Sequence, residues 1–164
     1  MGDYKARIET VPEHIVYYKD YYAPTLSGFL CMSKEENFLQ DLCDRVLYEN
    51  PGIRLAEPEY SVLMYMDGDF GEEDIRFRFC DAVSGYGRDF EDYQFAKVDG
   101  FMAVTVEHKG PYKKLGETYA YAKKWLRENG YKQAGIPRDR AVDGCWNMES
   151  EEEYLTEIQI PIEG

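Results

Sequence analysis

The residue of this chain whose type and position most suggest chemistry is Glu157, near the end of the sequence. It lies in residues 156–162, where polar and apolar residues alternate strictly, a pattern that predicts a β-strand. Because successive strand side chains point to opposite faces, three isoleucines share one face, while Glu157 and Gln159 point to the other. Glu157 therefore faces either water or a pocket. In an aromatic pocket, burial would raise its pKa unless a cation pairs with it, which suits cation binding or general acid–base catalysis.

Two histidines and four cysteines are the other groups that could do chemistry. His108 ends a predicted strand just before a Gly-Pro turn, where it could shuttle protons, although a structural role is the simpler interpretation. Neither histidine has a convincing nucleophile partner, so no catalytic triad is predicted. The cysteines are far apart and form no CxxC pair, so the sequence predicts reduced thiols, no metal site and no cofactor; they are Cys31, Cys43, Cys80 and Cys145.

Composition narrows the class of protein. A chain of 164 residues with 44% hydrophobic and 15% aromatic content predicts one folded domain. A formal net charge of −13 disfavours nucleic acids and anionic membranes as direct partners, and is compatible with cationic or neutral ligands. The excess of tyrosine, 15 residues, fits either ligand recognition or an aromatic core. Since no signal-peptide pattern or long apolar run is present, the sequence predicts a cytoplasmic protein without membrane contact.

The predicted elements occur in the order strand, helix, strand, strand, and this order then begins again. The first helix is expected to start at an N-cap at Ser33 and to end at residues 50–52, and the second runs from Leu115 to Leu126. Residues 90–95 read as a connection between the two halves. Matching turns recur at an offset of about eighty residues: 50–52 with 129–131, 57–58 with 136–137, and 67–68 with 143–144.

This recurrence predicts an internal duplication, with repeat one over about residues 4–83 and repeat two over about residues 95–162. Two βαββ units pair most simply into one antiparallel sheet with both helices on one face. The expected fold is therefore a single α+β domain. A groove between the halves, on the sheet face without helices, would be a natural ligand site.

The second half carries a family resemblance. Residues 106–112, the pair Trp125-Leu126, residues 129–131 and the ending 156–162 together resemble the GyrI-like small-molecule-binding domain. This domain is the effector-binding part of AraC- and MerR-type regulators and also occurs alone. The resemblance is clear from about Val104 to Ile162 and extends to the first half through the repeat.

The resemblance implies an aromatic-lined groove with a central carboxylate, which it places at Glu157. Tyr112, after the Gly-Pro turn, would be a wall residue. Residues 138–142 lack a tyrosine that many members have, so Trp146 would supply that part of the wall. The first repeat could line the other half of the groove with Tyr65 and Tyr17, and His108 is a further candidate contact.

The function that this implies is binding of lipophilic, aromatic or cationic small molecules, for sensing, sequestration or detoxification. An alternative is a hydrolase that opens the cyclopropane ring of DNA-alkylating natural products, with Glu157 assisting water and Tyr112 or Trp146 holding the drug. A third, weaker alternative is a gyrase-inhibitor-like protein. Because no helix-turn-helix precedes the domain, we expect a stand-alone form without direct DNA binding, whose protein partner, if any, the sequence does not name.

Overall fold

The computed structural model describes residues 4–26, 38–144 and 147–163. The predicted N-cap at Ser33 and the predicted wall residue Trp146 lie outside these ranges. The described elements are, in chain order, β1 (Ala6–Val11), β2 (His14–Thr25), α1 (Phe38–Glu49), β3 (Ser61–Tyr65), β4 (Glu73–Val83), β5 (Gln94–Val98), β6 (Phe101–Lys109), α2 (Leu115–Glu128), β7 (Arg138–Asp143) and β8 (Leu155–Ile162). One 3₁₀ turn, Tyr112–Lys114, precedes α2, and another, Glu151–Glu153, precedes β8.

All eight strands form one antiparallel sheet in the order β1-β6-β8-β7-β3-β4-β2-β5. The predicted α+β class, an antiparallel sheet with two helices, is confirmed. The strands β1 to β4 of the first half correspond to β5 to β8 of the second. When each strand is replaced by its counterpart, the same order is read from the other edge of the sheet, so a pseudo-twofold axis passes between β3 and β7. Each half contains one strand more than the βαββ unit predicted, and that first strand pairs with the other half. The connection predicted over residues 90–95 in fact includes the start of such a strand, β5.

The sheet is strongly curled, because short links join strands that are far apart in it. Only Pro12 and Glu13 join β1 to β2, although five strands lie between them. In a flat sheet this gap would be roughly 29 Å, whereas the link can reach about 11 Å. The β1–β2 and β5–β6 links meet at Gly100, where a Cβ would lie 3.3 Å from both Glu13 N and Val11 O. The two edges of the sheet therefore approach each other at this end.

Both helices pack on one face of the sheet and create the main core. On α2 the buried residues recur at helical spacing, as predicted from the sequence; they are Leu115, Thr118, Tyr119, Ala122 and Leu126. A smaller apolar cluster of strand residues lies on the face without helices: Val16, Val62, Cys80 and Ala82. Among the described residues, no helix is long and apolar enough to cross a membrane.

Candidate functional site

The last strand, β8, has the alternation that its sequence predicts. Ile158, Ile160 and Ile162 belong to the core beneath the helices, and Glu157 and Gln159 point to the helix-free face. Glu157 is only 7% exposed and is not a solvent-facing residue. Three carboxylates are buried among the described residues, Asp81, Asp139 and Glu157, and two of them, Glu157 and Asp139, define the candidate sites.

Two arginines form ion pairs with Glu157. Arg7 Nη2, on the edge strand β1, donates to Glu157 Oε2 at 2.7 Å, and Arg140 Nη1, on β7, donates to Oε1 at 2.8 Å. Burial by itself raises the pKa of Glu157, but the hydrogen bonds from Arg7 and Arg140 outweigh it, so the pKa is lowered. Glu157 is therefore held ionised, with a cation on each oxygen.

The same ion pairs make Glu157 a stabilising residue. We expect Glu157→Gln to lower the free energy of unfolding at pH 7 by about 2 kcal/mol, because it leaves two guanidinium groups without their carboxylate. Since the folded-state pKa is lowered from 4.5, this stabilisation exists above pH 4.5 and is lost as pH falls through the folded-state value. Urea denaturation at pH 7 and at pH 3 measures both effects.

Glu107→Gln is the matched control, since Glu107 is the neighbour of Glu157 on β6 and its side chain is 56% exposed. We expect it to change the stability by less than about 0.5 kcal/mol. An equal loss in both variants would mean that the pairs with Glu157 contribute no more than a surface contact.

The helix-free face around Glu157 is filled by side chains of the protein itself. The Tyr60 hydroxyl donates to Gln159 Oε1, and the Arg138 guanidinium lies 4.6 Å from the centre of the Phe101 ring. These contacts join side chains of β6, β7 and β8 and of Tyr60, which precedes β3, across the curled face. Two buried polar atoms among the described residues have no hydrogen-bond partner, Thr105 Oγ1 and Arg138 Nε, and both residues pair in register with Gln159.

Three other residues that the sequence suggested as ligand contacts lie on the opposite face, beneath the helices. These residues are Tyr17, Tyr65 and His108. The alternation along their strands points them away from the face of Glu157, so the structure does not bring them together with Glu157. Tyr17 donates to Asp81 Oδ2 at 2.9 Å and Tyr65 donates to Asp139 Oδ2 at 2.5 Å. His108 makes contacts between its strand and α2, described next.

His108 braces β6 against α2. Its Nδ1 lies 2.6 Å from Thr118 Oγ1 and its Nε2 lies 2.9 Å from Pro111 O. Because a carbonyl oxygen only accepts, Nε2 carries the proton and Nδ1 accepts from the threonine hydroxyl. Burial lowers the pKa of His108, and the bond to Pro111 opposes this only in part. These contacts fit the structural role for His108 that the sequence left open.

Tyr112, the other residue predicted from the family resemblance, lies in the turn between β6 and α2. Its ring packs 5.1 Å from the ring of Tyr154 and against the core beneath the helices. This position is next to the start of β8 but on the side of the sheet that faces the helices.

Sequence reasoning missed the buried carboxylate of Asp139 on β7. It is 7% exposed and faces the helices, where Tyr65 and Tyr119 each donate a hydroxyl to one of its oxygens at 2.5 Å. Within the described part of the chain, no lysine, arginine or histidine forms an ion pair with it. Burial raises the pKa of Asp139 to about 6, although the bonds from Tyr119 and Tyr65 act in the opposite direction.

Aromatic rings surround this carboxylate. Phe70 stacks on Tyr119 with ring centres 4.5 Å apart, and Tyr65 lies 5.3 Å from Phe70 and 5.8 Å from Tyr119. We call these four residues, Asp139, Tyr65, Phe70 and Tyr119, the Asp139 cage. Tyr65 and Tyr119 direct their hydroxyl groups at the carboxylate, and Phe70 packs against both of their rings.

A cavity of about 190 Å³ adjoins the Asp139 cage at the turn between β3 and β4. It shares Tyr65 and Phe70 with the cage, and four carboxylates also line it: Asp67, Asp69, Glu73 and Asp74. One cation, Arg76, lies in the same lining and approaches Asp67 at 3.6 Å. The cavity thus has an acidic rim and meets the cage at Tyr65 and Phe70, while Asp139 itself is not among its lining residues.

Comparison with known proteins agrees with this fold. The chain matches the GyrI-like small molecule binding domain over residues 5–163 and belongs to the GyrI-like family. No curated protein matches it. The structure is similar to the C-terminal domain of EcmrR, a MerR-type regulator, with 34% identity, a TM-score of 0.88 and 99% of each chain covered.

Longer and more distant structures are also similar. In the EcmrR–DNA complex, the identity is again 34% with a TM-score of 0.87, but the match covers 98% of this chain and 57% of that one. SAV2435 bound to tetraphenylphosphonium is 14% identical, with a TM-score of 0.61 over 98% and 94% of the two chains. A hydrolase encoded by lin2189 from Listeria innocua is 13% identical, with a TM-score of 0.66 over 97% and 92%. The last two similarities show the fold alone.

Proposed function

We propose that the protein binds lipophilic aromatic cations in the Asp139 cage, for sensing, sequestration or detoxification. The observation that carries this proposal is a buried carboxylate that has tyrosine hydroxyls as partners and no cation. A buried charge without a counter-ion is unfavourable, and a cationic ligand would remove that penalty.

The surroundings of Asp139 favour a delocalised cation with apolar surface. A small hydrated cation would lose its water on entering an aromatic site, whereas a cation spread over aromatic groups loses little. Ring faces attract such a cation within about 6 Å. The acidic rim of the cavity and the net charge of −13 also raise the local concentration of cations.

The family resemblance predicts Glu157 as the carboxylate that binds the ligand. The hydrogen-bond partners of the two carboxylates support Asp139 better in that role. Each oxygen of Glu157 already accepts from an arginine, so a ligand cation would have to displace Arg7 or Arg140. A ligand at Asp139 displaces no cation, because the partners of its two oxygens are the neutral hydroxyls of Tyr65 and Tyr119. The two assignments predict opposite results for a pair of variants.

Titration with tetraphenylphosphonium, followed by calorimetry at pH 7.5, tests the proposal. We expect Asp139→Asn to weaken binding at least about tenfold, because the ligand loses its counter-ion in a dry site. Glu157→Gln should change the affinity by less than about threefold. Asp81→Asn is the matched control, since Asp81 is also buried on the helix side and bonded to a tyrosine, Tyr17.

If Glu157→Gln loses affinity and Asp139→Asn retains it, Glu157 is the carboxylate that binds the ligand. Equal losses in Asp139→Asn and Asp81→Asn would point to a general effect of removing buried acids. A wild-type protein that binds no tetraphenylphosphonium at millimolar concentration would contradict the proposal as a whole.

Binding is better supported than ring-opening hydrolysis. A general base works best with a pKa near the working pH, whereas the pKa of Glu157 is lowered and both its oxygens are occupied. Turnover of a cyclopropane-containing alkylator by the wild-type protein would favour the hydrolase.

We also propose that the chain makes no direct contact with nucleic acid, because its net charge repels polyanions.

A further inference from the structure

The turn between β3 and β4, residues 66–72, lies over the Asp139 cage. Phe70 is the residue of this turn that enters the cage, where it stacks on Tyr119 and contacts Tyr65. Phe70 also rests against α2 at Gly116, where an added Cβ would lie 3.6 Å from Phe70 Cε2. The aromatic ring of a side chain thus occupies a position that an aromatic ring of a ligand could take.

Two side-chain contacts hold the turn in this position, in addition to the backbone hydrogen bond from Leu26 N to Glu72 O at 2.9 Å. Lys123 Nζ on α2 lies 2.5 Å from Asp69 Oδ1 and 2.7 Å from Oδ2. Gln133 Nε2 donates to Gly68 O at 3.0 Å. Lys123 follows Tyr119 by four residues, so both side chains lie on one face of α2 and the ion pair spans the rim of the cage.

We propose that residues 66–72 form a lid, with Phe70 as an internal competitor of the ligand and the Lys123–Asp69 ion pair as its latch. This inference rests on the proposed function of the Asp139 cage. The incoming aromatic ring takes the place of Phe70 on Tyr119, and the turn moves outward. The latch can open readily, because the side chains of Lys123 and Asp69 are 38% and 58% exposed and exposed ion pairs contribute little stability.

The lid also defines the class of ligand. A cation with aromatic rings replaces the stacking that Phe70 gives up, whereas an aliphatic cation of similar size does not. We therefore expect the wild-type protein to prefer tetraphenylphosphonium to tetrabutylammonium, and Phe70→Ala to narrow that preference. In this view Phe70 completes the cage only in the ligand-free protein, and it sets specificity because the bound ligand takes its place against Tyr119.

Titrations and stopped-flow association with tetraphenylphosphonium test the lid. We expect Phe70→Ala to tighten binding about fivefold and to speed association, because the stacking that competes with the ligand is removed. Lys123→Met should speed association about threefold by removing the latch. Lys124→Met is the control: it makes the same charge change at the next, exposed position of α2.

Each alternative result is decisive. Weaker binding by Phe70→Ala, with unchanged circular dichroism, would make Phe70 a wall of the site and overturn the lid, while the proposed function would stand. If Lys123→Met and Lys124→Met change the association rate equally, the effect comes from the net charge of the protein, and the latch is overturned. If Phe70→Ala does not fold, the Lys123 and Lys124 pair decides alone. Absence of binding by the wild type would instead contradict the proposed function.

Discussion

Asp139→Asn is expected to stabilise the fold at pH 7.5 by roughly 1 to 3 kcal/mol, although most substitutions of buried residues destabilise. The reason is that burial raises the pKa of Asp139 from 3.8 to about 6. At pH 7.5 the carboxyl is ionised in both states, and in the folded state it is ionised without a cation. A shift of about two pKa units corresponds to about 3 kcal/mol, which is an upper bound for what asparagine recovers.

The size of this effect changes with pH in a defined way. Below pH 3.8 Asp139 is protonated in the folded and unfolded states, so the part of the stability difference that comes from its charge disappears. Between pH 3.8 and about 6 the folded state keeps a proton that the unfolded state has lost, and wild-type stability falls as pH rises. Above about pH 6 the loss is complete.

Urea denaturation of both proteins at pH 4 and pH 7.5 checks this expectation. Glu91→Gln, which removes an exposed carboxylate, is the charge-matched control and should be neutral at both values. A loss of stability in Asp139→Asn at pH 7.5 would mean that the tyrosine bonds stabilise the ionised form more than burial destabilises it. A gain of stability in Asp139→Asn would show that the binding-site carboxylate lowers the stability of the ligand-free fold.

Local patterns in the sequence predicted the elements that depend on them. The alternation in β8 predicted the faces of Ile158 and Glu157, and the helical spacing in α2 predicted the burial of Tyr119 and Leu126. These outcomes follow from periodicities that each element carries within itself. The same alternation places Tyr65 beneath the helices and not in a groove with Glu157, where we expected it from the sequence.

Non-local pairing was the part that the sequence could not supply. Arg7 reaches Glu157 across 150 residues, because β1 pairs with β6 of the other repeat. The strand β5 was missed for a related reason, since its residues are ordered by pairing with β2 and not by a strong alternation of their own.

Asp139 was missed because its strand gives no local signal. In Arg138-Asp139-Arg140 every side chain is charged, so no apolar face marks the side that turns toward the core. Only the pairing of Asp139 with Leu63 on β3 and Ile158 on β8 shows that it faces the helices. One signal was available: a strand in the middle of a sheet must point either two arginines or one aspartate into the core, and the single aspartate is the less unfavourable choice.

Binding of tetraphenylphosphonium is expected to weaken about a hundredfold between pH 7 and pH 4, because the ligand binds the ionised form of Asp139. The pKa of Asp139 is raised to about 6, so protonation competes with the ligand below that pH, by about tenfold for each further pH unit. The ligand has no titratable group, and the whole pH dependence therefore belongs to the protein.

The same pH profile separates the two carboxylates without any substitution. The pKa of Glu157 is lowered from 4.5, so a site built on Glu157 would keep its affinity down to at least pH 4.5. A site built on Asp139 would already lose affinity near pH 6. Calorimetric titrations at half-unit intervals, with circular dichroism at each pH to confirm folding, measure the midpoint. A midpoint near pH 6 that is absent in Asp139→Asn supports the cage. A midpoint below pH 4.5 contradicts it, because of these two carboxylates only the arginine-paired Glu157 stays ionised below pH 4.5.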